Sequence, residues 1–296
     1  MAVKELVEAA KSEQIVLNYV QVRRGGHITE DWGRLASKTR LNTWSASKSF
    51  ISAAVGIAMD EGLVTLEDRL SDAFPEYMPE DPQKSLTELN VRDMLTMTAG
   101  LAGPLFFGDD PERYATQDWI AYFFAQDFPH PNGERFLYSN FNTYMLACLL
   151  ERKAGMPFME FARPRLLTPI GILSPDWTVC PGGHVHAANG LYITIDELAN
   201  FGQMLLQGGV FGGRRVVSAE YLREAVRNQM PPTEKNVKYG WQFWLPEDES
   251  YFYASGKFGQ YCIVLPEKDA VIAAQSLDSR EREILPMIEE FVIAEL

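Results

Sequence analysis

Three features are scarce or missing in this 296-residue chain, and each absence excludes a class of protein. Cysteine occurs only as Cys148, Cys180 and Cys262, a set too widely spaced to form a disulfide framework or a zinc-type cysteine pair. We expect three buried thiols in a reducing compartment. No run approaches the roughly 20 apolar residues of a membrane span, and charges interrupt the first residues where a secretory signal needs an apolar core. These absences predict a cytoplasmic protein without a membrane partner.

Positive charge is also scarce, because 27 basic residues face 40 acidic ones and the net charge is −13. Nucleic-acid binding needs a basic footprint, so this balance predicts no nucleic-acid partner. The acidic residues are scattered, which is typical of a solubilising surface. Hydrophobic residues make up 46% of the chain, which is enough for a large core. The length of the chain suggests about two domains or one large one.

The order of predicted elements indicates a mixed fold built from both ends of the chain. IVLNYVQVRRGGHITEDWGRL predicts a hairpin, SKSFISAAVGIAMDEG predicts a buried helix, and the middle is helix-rich. Four later segments predict strands of one antiparallel sheet: KYGWQFWLP, SYFYASG, QYCIVLP and DAVIAAQS. The prediction is an α+β fold, an α/β sandwich with an antiparallel sheet flanked by helices. Residues 1–62 and 174–296 form its α/β domain, residues 63–173 an inserted helical domain, and the active site lies at their interface.

The stretch SASK places Ser45 three residues before Lys48, at the start of the predicted helix. One interpretation is a helix cap, in which the serine oxygen accepts a hydrogen bond from a free backbone N–H. The other is a nucleophile with a base one turn away, because residues three apart share a helix face and a lysine with a depressed pKa can take a hydroxyl proton. The local sequence leaves both interpretations open.

Two further triplets favour the nucleophile. Tyr138-Ser139-Asn140 is the only Y-x-N in the chain, and Lys257-Phe258-Gly259 is a K-x-G between two apolar strand segments. With the S-x-x-K at Ser45, and in this order, they make the chain resemble the serine β-lactamase and penicillin-binding-protein superfamily. The Y-x-N form points to the class C β-lactamase branch, with its esterase, D-aminopeptidase and nylon-oligomer-hydrolase relatives. Stretches such as MLTMTAGL are similar to that family too, so the resemblance covers nearly the whole chain.

This resemblance implies a β-lactamase/transpeptidase-like fold and a serine hydrolase that cleaves a small ester or amide through a Ser45 acyl-enzyme, with no cofactor and no metal. In it, Tyr138 is the candidate general base, Asn140 orients the substrate or Lys48, and Lys257 holds charge and fixes Tyr138. A free phenol has a pKa near 10, so we expect the two ammonium groups to lower that of Tyr138. A proton shared among Tyr138, Lys48 and Ser45 is the alternative.

The same resemblance implies substrate-binding groups in the third motif. The oxyanion would lie between the backbone N–H groups of Ser45 and Gln260, beside Gly259. Phe258 stands where β-lactam-processing members carry Thr or Ser, so it removes a hydrogen bond to a β-lactam carboxylate and favours an apolar ester. We therefore expect a carboxylesterase. The alternatives are a D-aminopeptidase or peptide amidase, a β-lactamase, and, from another class, a catalytically idle ligand-binding protein.

Four other residues call for an interpretation. Phe106 and Phe107 lie in a Gly/Pro loop and are candidates for a lid over the pocket. His184 and His186 lie two apart after a glycine pair, but no cluster of carboxylates accompanies them in the sequence. We expect loop histidines near the cleft and no metal site.

Overall fold

The structure, a computed structural model, describes residues 1–35, 38–106, 110–230 and 237–296. The strands are β1 (Leu17–Arg24), β2 (His27–Gly33), β3 (Leu41–Asn42), β4 (Asp176–Trp177), β5 (Leu191–Ile193), β6 (Val210–Phe211), β7 (Arg214–Arg215), β8 (Phe252–Gly256), β9 (Gln260–Leu265) and β10 (Ala270–Ser276). The α-helices are α1 (Ala2–Ser12), α2 (Ser47–Asp60), α3 (Leu70–Ala73), α4 (Lys84–Glu88), α5 (Val91–Leu95), α6 (Glu112–Ala115), α7 (Trp119–Phe124), α8 (Asn140–Ala154), α9 (Phe158–Ala162), α10 (Ile195–Leu206), α11 (Ala219–Ala225) and α12 (Glu281–Phe291).

The main sheet has five antiparallel strands in the order β2-β1-β10-β9-β8, so its first two strands come from one end of the chain and its last three from the other. The β1–β2 hairpin turns at Gly25 and Gly26, whose positive φ angles of 58° and 77° suit a tight turn. This arrangement confirms the predicted α+β class, with an antiparallel sheet built from both ends and flanked by helices.

The two faces of the sheet carry separate apolar cores. Helices α1 and α12 cover one face, where Val20 and Ile272 are buried with Leu6 and Ile288. Helices α2 and α10 cover the other face. Every residue of α2 from Ser47 to Ala58 is buried, as expected of a helix enclosed on all sides. The sheet and its packed helix therefore give the N-terminal end of α2 a rigid base.

The middle of the chain, residues 63–173, contributes helices α3–α9 and, among its described residues, only an isolated bridge between Arg69 and Asn90 as β-structure. The structure agrees with the prediction that this part of the chain is helix-rich. That these residues form a separate domain stays a prediction. One strand prediction is wrong. KYGWQFWLP forms only single bridges, Tyr239 to Trp244 and Trp244 to Tyr253, because the chain turns at Gln242, which has a φ of 65°.

All three cysteines are buried free thiols, as predicted. No helix within the described ranges has the length and apolar character needed to cross a membrane.

Candidate active site

Ser45 lies in a short 3-10 helix, Trp44–Ala46, between β3 and α2. Trp44 has a φ of 48°, a left-handed conformation that costs a non-glycine residue on the order of 1–3 kcal/mol. The side-chain oxygen of Asn42 holds this turn by accepting from the Trp44 N–H (2.9 Å) and the Gly190 N–H (3.1 Å). The N-cap of α2 is Ala46, without a side-chain cap bond. The helix-cap interpretation of Ser45 is therefore wrong.

Lys48 extends from the first turn of α2 back to Ser45. Its Nζ lies 3.0 Å from Ser45 Oγ, 2.7 Å from Asn140 Oδ1 and 3.1 Å from the Ala188 carbonyl oxygen. The side chain is 1% exposed. Burial lowers the pKa of this amine well below its usual value, and the positive charge of Arg113 lowers it further. The lowered pKa favours the neutral form of this amine, whose Nζ is within hydrogen-bonding distance of the serine hydroxyl.

Tyr138 is joined to Ser45 by a side-chain hydrogen bond, and its ring centroid lies 4.7 Å from Lys48 Nζ. Burial raises the pKa of the phenol above its ordinary value, against a smaller lowering effect of the Ser45 bond. The prediction that two lysines lower this pKa is wrong, because burial disfavours the charged phenolate. In this site Tyr138 is a neutral phenol.

Asn140 is the first residue of α8, a helix whose N-cap, Ser139, accepts from the Phe141 N–H. Its amide oxygen accepts from Lys48, and its Nδ2 donates to the Phe106 carbonyl at 2.6 Å. Phe106, predicted as a lid, is instead buried and stacked on Phe141 with 4.3 Å between ring centroids. Phe107 lies outside the described residues. The structure therefore brings Asn140 to Lys48 and makes Phe106 a support for that amide.

The third predicted motif, Lys257-Phe258-Gly259, is the turn between β8 and β9. A Cβ built on Gly259 would lie 2.4 Å from Ile284 Cδ1, so this glycine faces α12. Gln260 pairs with Gly256 in the β8–β9 ladder and is fully buried. Neither Gly259 nor Gln260 lines the cleft that contains Ser45. The position of the second oxyanion donor at Gln260 therefore stays a prediction, without support from the lining of the cleft.

Gly256, at the end of β8, is the glycine that contacts the Ser45 turn. A Cβ built on it would lie 2.1 Å from the Thr43 carbonyl oxygen and 3.1 Å from the Ala46 nitrogen. Ser255 and Lys257, its neighbours, both line the cleft. Sequence reasoning missed this segment, although Ser255-Gly256 is the only Ser-Gly pair in the chain and ends a predicted strand.

The side chains of the predicted motif lie at the rim. The Lys257 side chain is exposed, and its Nζ lies 5.2 Å from the centroid of the Phe258 ring. That ring packs edge-on against Trp44, with 5.1 Å between centroids. The fixing of the Tyr138 phenol by Lys257 stays a prediction. Phe258 is absent from the lining of the cleft, whereas Ser255, which is hydrogen-bonded to Tyr261, belongs to it.

The cleft has a volume of about 670 Å³ and combines aromatic walls with charges of both signs. Its lining residues are Trp44, Ser45, Tyr138, Asn140, Asn189, Trp244, Tyr253, Ser255, Gly256, Lys257, Tyr261, Glu281 and Arg282.

Arg113, which no sequence motif indicates, contacts two residues next to the cleft. Its guanidinium bonds to His186 Nδ1 at 2.8 Å and donates to Asn189 Oδ1 at 3.2 Å. Burial, and then the charge of Arg113, lower the pKa of His186 to about 4. His186 is therefore a neutral acceptor beside the cleft. His184, two residues earlier, bonds instead to Glu151.

Comparison with known proteins gives a family match and several structural neighbours. A family model described as Beta-lactamase matches residues 4–283. A 6-aminohexanoate-dimer hydrolase of Paenarthrobacter ureafaciens is 27% identical over 284 residues, which are 86% of this chain and 71% of that protein. A putative 6-aminohexanoate-dimer hydrolase from Bacillus anthracis superposes with a TM-score of 0.83 at 19% identity, covering 98% of this chain and 81% of the other. EstCE1, a hydrolase with promiscuous acyltransferase activity, superposes with a TM-score of 0.81 at 16% identity, covering 98% and 97%.

Proposed function

The chain belongs to the beta-lactamase family, and from that premise we propose that it is a serine hydrolase that cleaves an ester or amide through an acyl-enzyme on Ser45. The observation that carries the proposal is the hydrogen bonding of one hydroxyl, that of Ser45, to the buried amine of Lys48 and the neutral phenol of Tyr138. A nucleophile needs an adjacent base, and the lowered pKa of this amine favours its uncharged, basic form.

The hydrogen-bond count around Lys48 fits the role of base. A neutral amine has two N–H donors and one lone pair. In that neutral form the two fixed acceptors, Asn140 Oδ1 and the Ala188 carbonyl, would take both donors. The 3.0 Å contact between Lys48 Nζ and Ser45 Oγ would then direct the lone pair at the Ser45 O–H. When Ser45 attacks a carbonyl carbon, its proton passes to this lone pair, and the ammonium so formed has three donors for the same three partners. The transfer therefore needs no rearrangement.

Tyr138 has a different role in this scheme. Because burial keeps its phenol protonated, it is a proton donor beside the reacting oxygen rather than the base that takes the first proton. A departing alkoxide or amine needs a proton as the tetrahedral intermediate collapses to the acyl-enzyme. We assign that donation to Tyr138. Water then releases the acyl group by the same steps in reverse.

Two backbone N–H groups are proposed as oxyanion donors. Ser45 is the second residue of a 3-10 helix, and the first N–H groups of a helix have no partner inside it. The second donor is the N–H of Lys257, because Gly256 brings the chain at that point against the Thr43–Ala46 backbone. Two preorganised donors of this kind stabilise the charge that develops on the carbonyl oxygen.

For the substrate class, a carboxylesterase remains our first proposal. EstCE1, named as a hydrolase with acyltransferase activity, supports acyl-transfer chemistry on this fold. The aromatic walls of the cleft suit an apolar acyl or alkyl group. The argument from Phe258 against β-lactams no longer applies, since Phe258 is outside the cleft and Ser255 supplies a hydroxyl within it.

Hydrolysis of a short amino-acid amide is the second candidate, and the charges of the cleft favour it. Lys257 and Arg282 line the same cleft as Glu281, so a molecule with both an amine and a carboxylate finds a partner for each. The relative from Paenarthrobacter ureafaciens is named for a dimer of an amino acid, 6-aminohexanoate, which has those two ends. D-Aminopeptidase and peptide amidase activities belong to this candidate.

A substrate panel tests both candidates. Nitrophenyl esters, 6-aminohexanoate dimer, D-amino-acid anilides and nitrocefin are assayed with the wild type, with Ser45→Ala and with Ser250→Ala, an exposed serine as control. We expect ester turnover that Ser45→Ala abolishes and Ser250→Ala leaves unchanged. Dominant turnover of the dimer or the anilides would favour the amide candidate, and dominant nitrocefin turnover would favour a β-lactamase.

Labelling with a serine-reactive phosphonate, followed by intact-mass measurement, tests the nucleophile itself. We expect one adduct on the wild type and none on Ser45→Ala. Absence of an adduct on the wild type, together with no turnover in the panel, would favour a catalytically idle binding protein. An adduct that persists in Ser45→Ala would place the reactive serine elsewhere.

A further inference from the structure

A second cleft, of about 430 Å³, contains none of the catalytic groups and is lined by Cys148, Glu151 and His184. Each of these side chains offers one ligand atom: a sulfur, a carboxylate oxygen and an imidazole nitrogen. The three atoms lie within 4.8 Å of one another. We propose that these three side chains bind a divalent transition-metal ion of the zinc type. The proposal is independent of the proposed hydrolase activity.

Local structure sets the three side chains in place before any ion arrives. Cys148 and Glu151 are three residues apart on α8, so they share one face of that helix. His184 lies on a tight loop in which the Gly183 N–H donates to the Cys180 carbonyl (2.9 Å) and the Cys180 N–H donates to the His184 carbonyl (2.8 Å). Because backbone bonds hold both segments, binding costs little ordering of the chain.

The donor set matches the ion. Thiolate sulfur, imidazole nitrogen and carboxylate oxygen are the groups that bind Zn²⁺, at roughly 2.0–2.3 Å in a tetrahedral arrangement. Donor atoms around such an ion are about 3.3–3.8 Å apart by that geometry, so atoms already within 4.8 Å need only small side-chain movements. Cys148 is buried, whereas the His184 side chain is 33% exposed, so a fourth position opens onto the cleft for water.

Two of the three proposed ligands have outer partners, which are residues that contact a ligand side chain without touching the ion. The Phe158 N–H donates to Glu151 Oε1 at 3.0 Å, which orients the carboxylate and leaves Oε2 facing His184 Nδ1. The Tyr144 hydroxyl is hydrogen-bonded to Cys180 Sγ at 3.4 Å and also interacts with the Cys148 side chain, to whose thiolate it can donate. Bound metal sites have such second partners for their ligands, and these fix ligand orientation.

The competing explanation is that Glu151 and His184 form only an ion pair, in which a proton lies where the metal would be. An ion pair gives no reason for a cysteine sulfur at the same point. The cluster is not visible in the sequence, because the histidine nearest to His184 in the sequence, His186, does not belong to it. His186 bonds to Arg113 instead, and the partners of His184 come from α8, more than thirty residues away.

Metal binding here would join α8 to the segment that holds the catalytic amine. Four residues after His184, the Ala188 carbonyl accepts from Lys48, and the Ala187 carbonyl accepts from Ser47. We therefore expect the ion to stabilise the folded protein, since a ligand that binds only the native state raises its stability by mass action.

The test uses the full chain after treatment with a chelator. Co²⁺ is titrated while the near-ultraviolet sulfur-to-cobalt charge-transfer band is recorded, and Zn²⁺ affinity is measured by calorimetry. We expect one ion per chain, a thiolate band, and a higher melting temperature with Zn²⁺. Cys148→Ser should remove the band. Both Cys148→Ser and His184→Gln should weaken Zn²⁺ binding by more than the roughly 10–100-fold that loss of an outer partner costs.

Cys262→Ser, which replaces a buried thiol far along the chain, is the matched control and should keep both the band and the affinity. Melting curves show whether each variant is folded. The absence of a thiolate band in the wild type would overturn the proposal without reference to any variant. Zn²⁺ affinity unchanged in both folded ligand variants would also overturn it, since the ion would then bind elsewhere on the surface.

Discussion

Replacement of Gly256 by alanine tests which glycine brings the third segment to the nucleophile. The added Cβ would lie 2.1 Å from the Thr43 carbonyl oxygen, a backbone atom, whereas ordinary contact begins at 3.4 Å. Relief of this overlap requires the end of β8 and the Thr43–Ala46 turn to separate by about 1.3 Å. The same separation moves the Lys257 N–H away from the Ser45 N–H, so the proposed oxyanion donors no longer converge.

A misplacement of about 1 Å costs on the order of 10²-fold in rate, which corresponds to about 2.7 kcal/mol of transition-state stabilisation. We therefore expect Gly256→Ala to lower kcat by about that factor. Gly259→Ala is the informative comparison. Its Cβ would meet Ile284 at 2.4 Å in a backbone with a φ of +83°, so it should cost about 1–3 kcal/mol of folding stability. The kcat of the folded enzyme should be largely kept.

The assay is ester hydrolysis, with kcat normalised by phosphonate titration of active sites and stability followed by thermal melting. Gly103→Ala is the control, because its Cβ would meet no atom within 4 Å. If Gly256→Ala kept kcat within about threefold of wild type while Gly259→Ala lost it, the second donor would lie on the Gly259 side of the turn and not at Lys257. The sequence-based position at Gln260 would then be restored.

Further expectations concern the proton-transfer groups. Tyr138→Phe should lower kcat by ~10²–10⁴-fold, the usual contribution of a positioned acid or base, and retention of the wild-type rate would remove Tyr138 from the mechanism. The profile of kcat/KM should rise with pH through the lowered pKa of Lys48, because the neutral amine is the active form. Arg113→Gln removes a repelling cation and Asn140→Asp adds an attracting anion, so both should raise that pKa and move the acidic limb to higher pH. Arg92→Gln, at an exposed arginine, is the control and should leave the acidic limb of the pH profile in place. If neither Arg113→Gln nor Asn140→Asp moved that limb, the pKa of Lys48 would not determine its position.

The parts of the fold and site that depend on local pattern could be predicted from the sequence. The hairpin at Gly25-Gly26 follows from turn chemistry, and the buried helix follows from its apolar composition. The proximity of Ser45 and Lys48 follows from a spacing of three residues across one helical turn. Each of these features depends on residues that are close together in the sequence, within about one secondary-structure element.

The features that the sequence pattern predicts incorrectly depend on the register of distant strands and on burial. Lys257-Phe258-Gly259 has the sequence of a K-x-G motif, but the pairing of Gly256 with Gln260 places this triplet in a turn. No residue in the triplet reveals that pairing. KYGWQFWLP alternates as a strand would, yet the buried amide of Gln242 accepts from Thr143 and donates to backbone carbonyls of α5, which turns the chain inward.

The charge state of Lys48 shows why the base could not be assigned from residue types alone. An ammonium is favoured by a nearby carboxylate, but the acceptors at Nζ are an amide oxygen and a peptide carbonyl, which orient the amine without a full negative charge. The charged group that acts on it is the cation Arg113, whose guanidinium bonds to His186. That histidine is neutral because burial and the same cation lower its pKa to about 4, so it adds no negative charge either. A proton that reaches Lys48 from Ser45 is therefore held only weakly, and its return to the Ser45 oxygen when the acyl group is released is favoured by the same surroundings that lower the pKa of the amine.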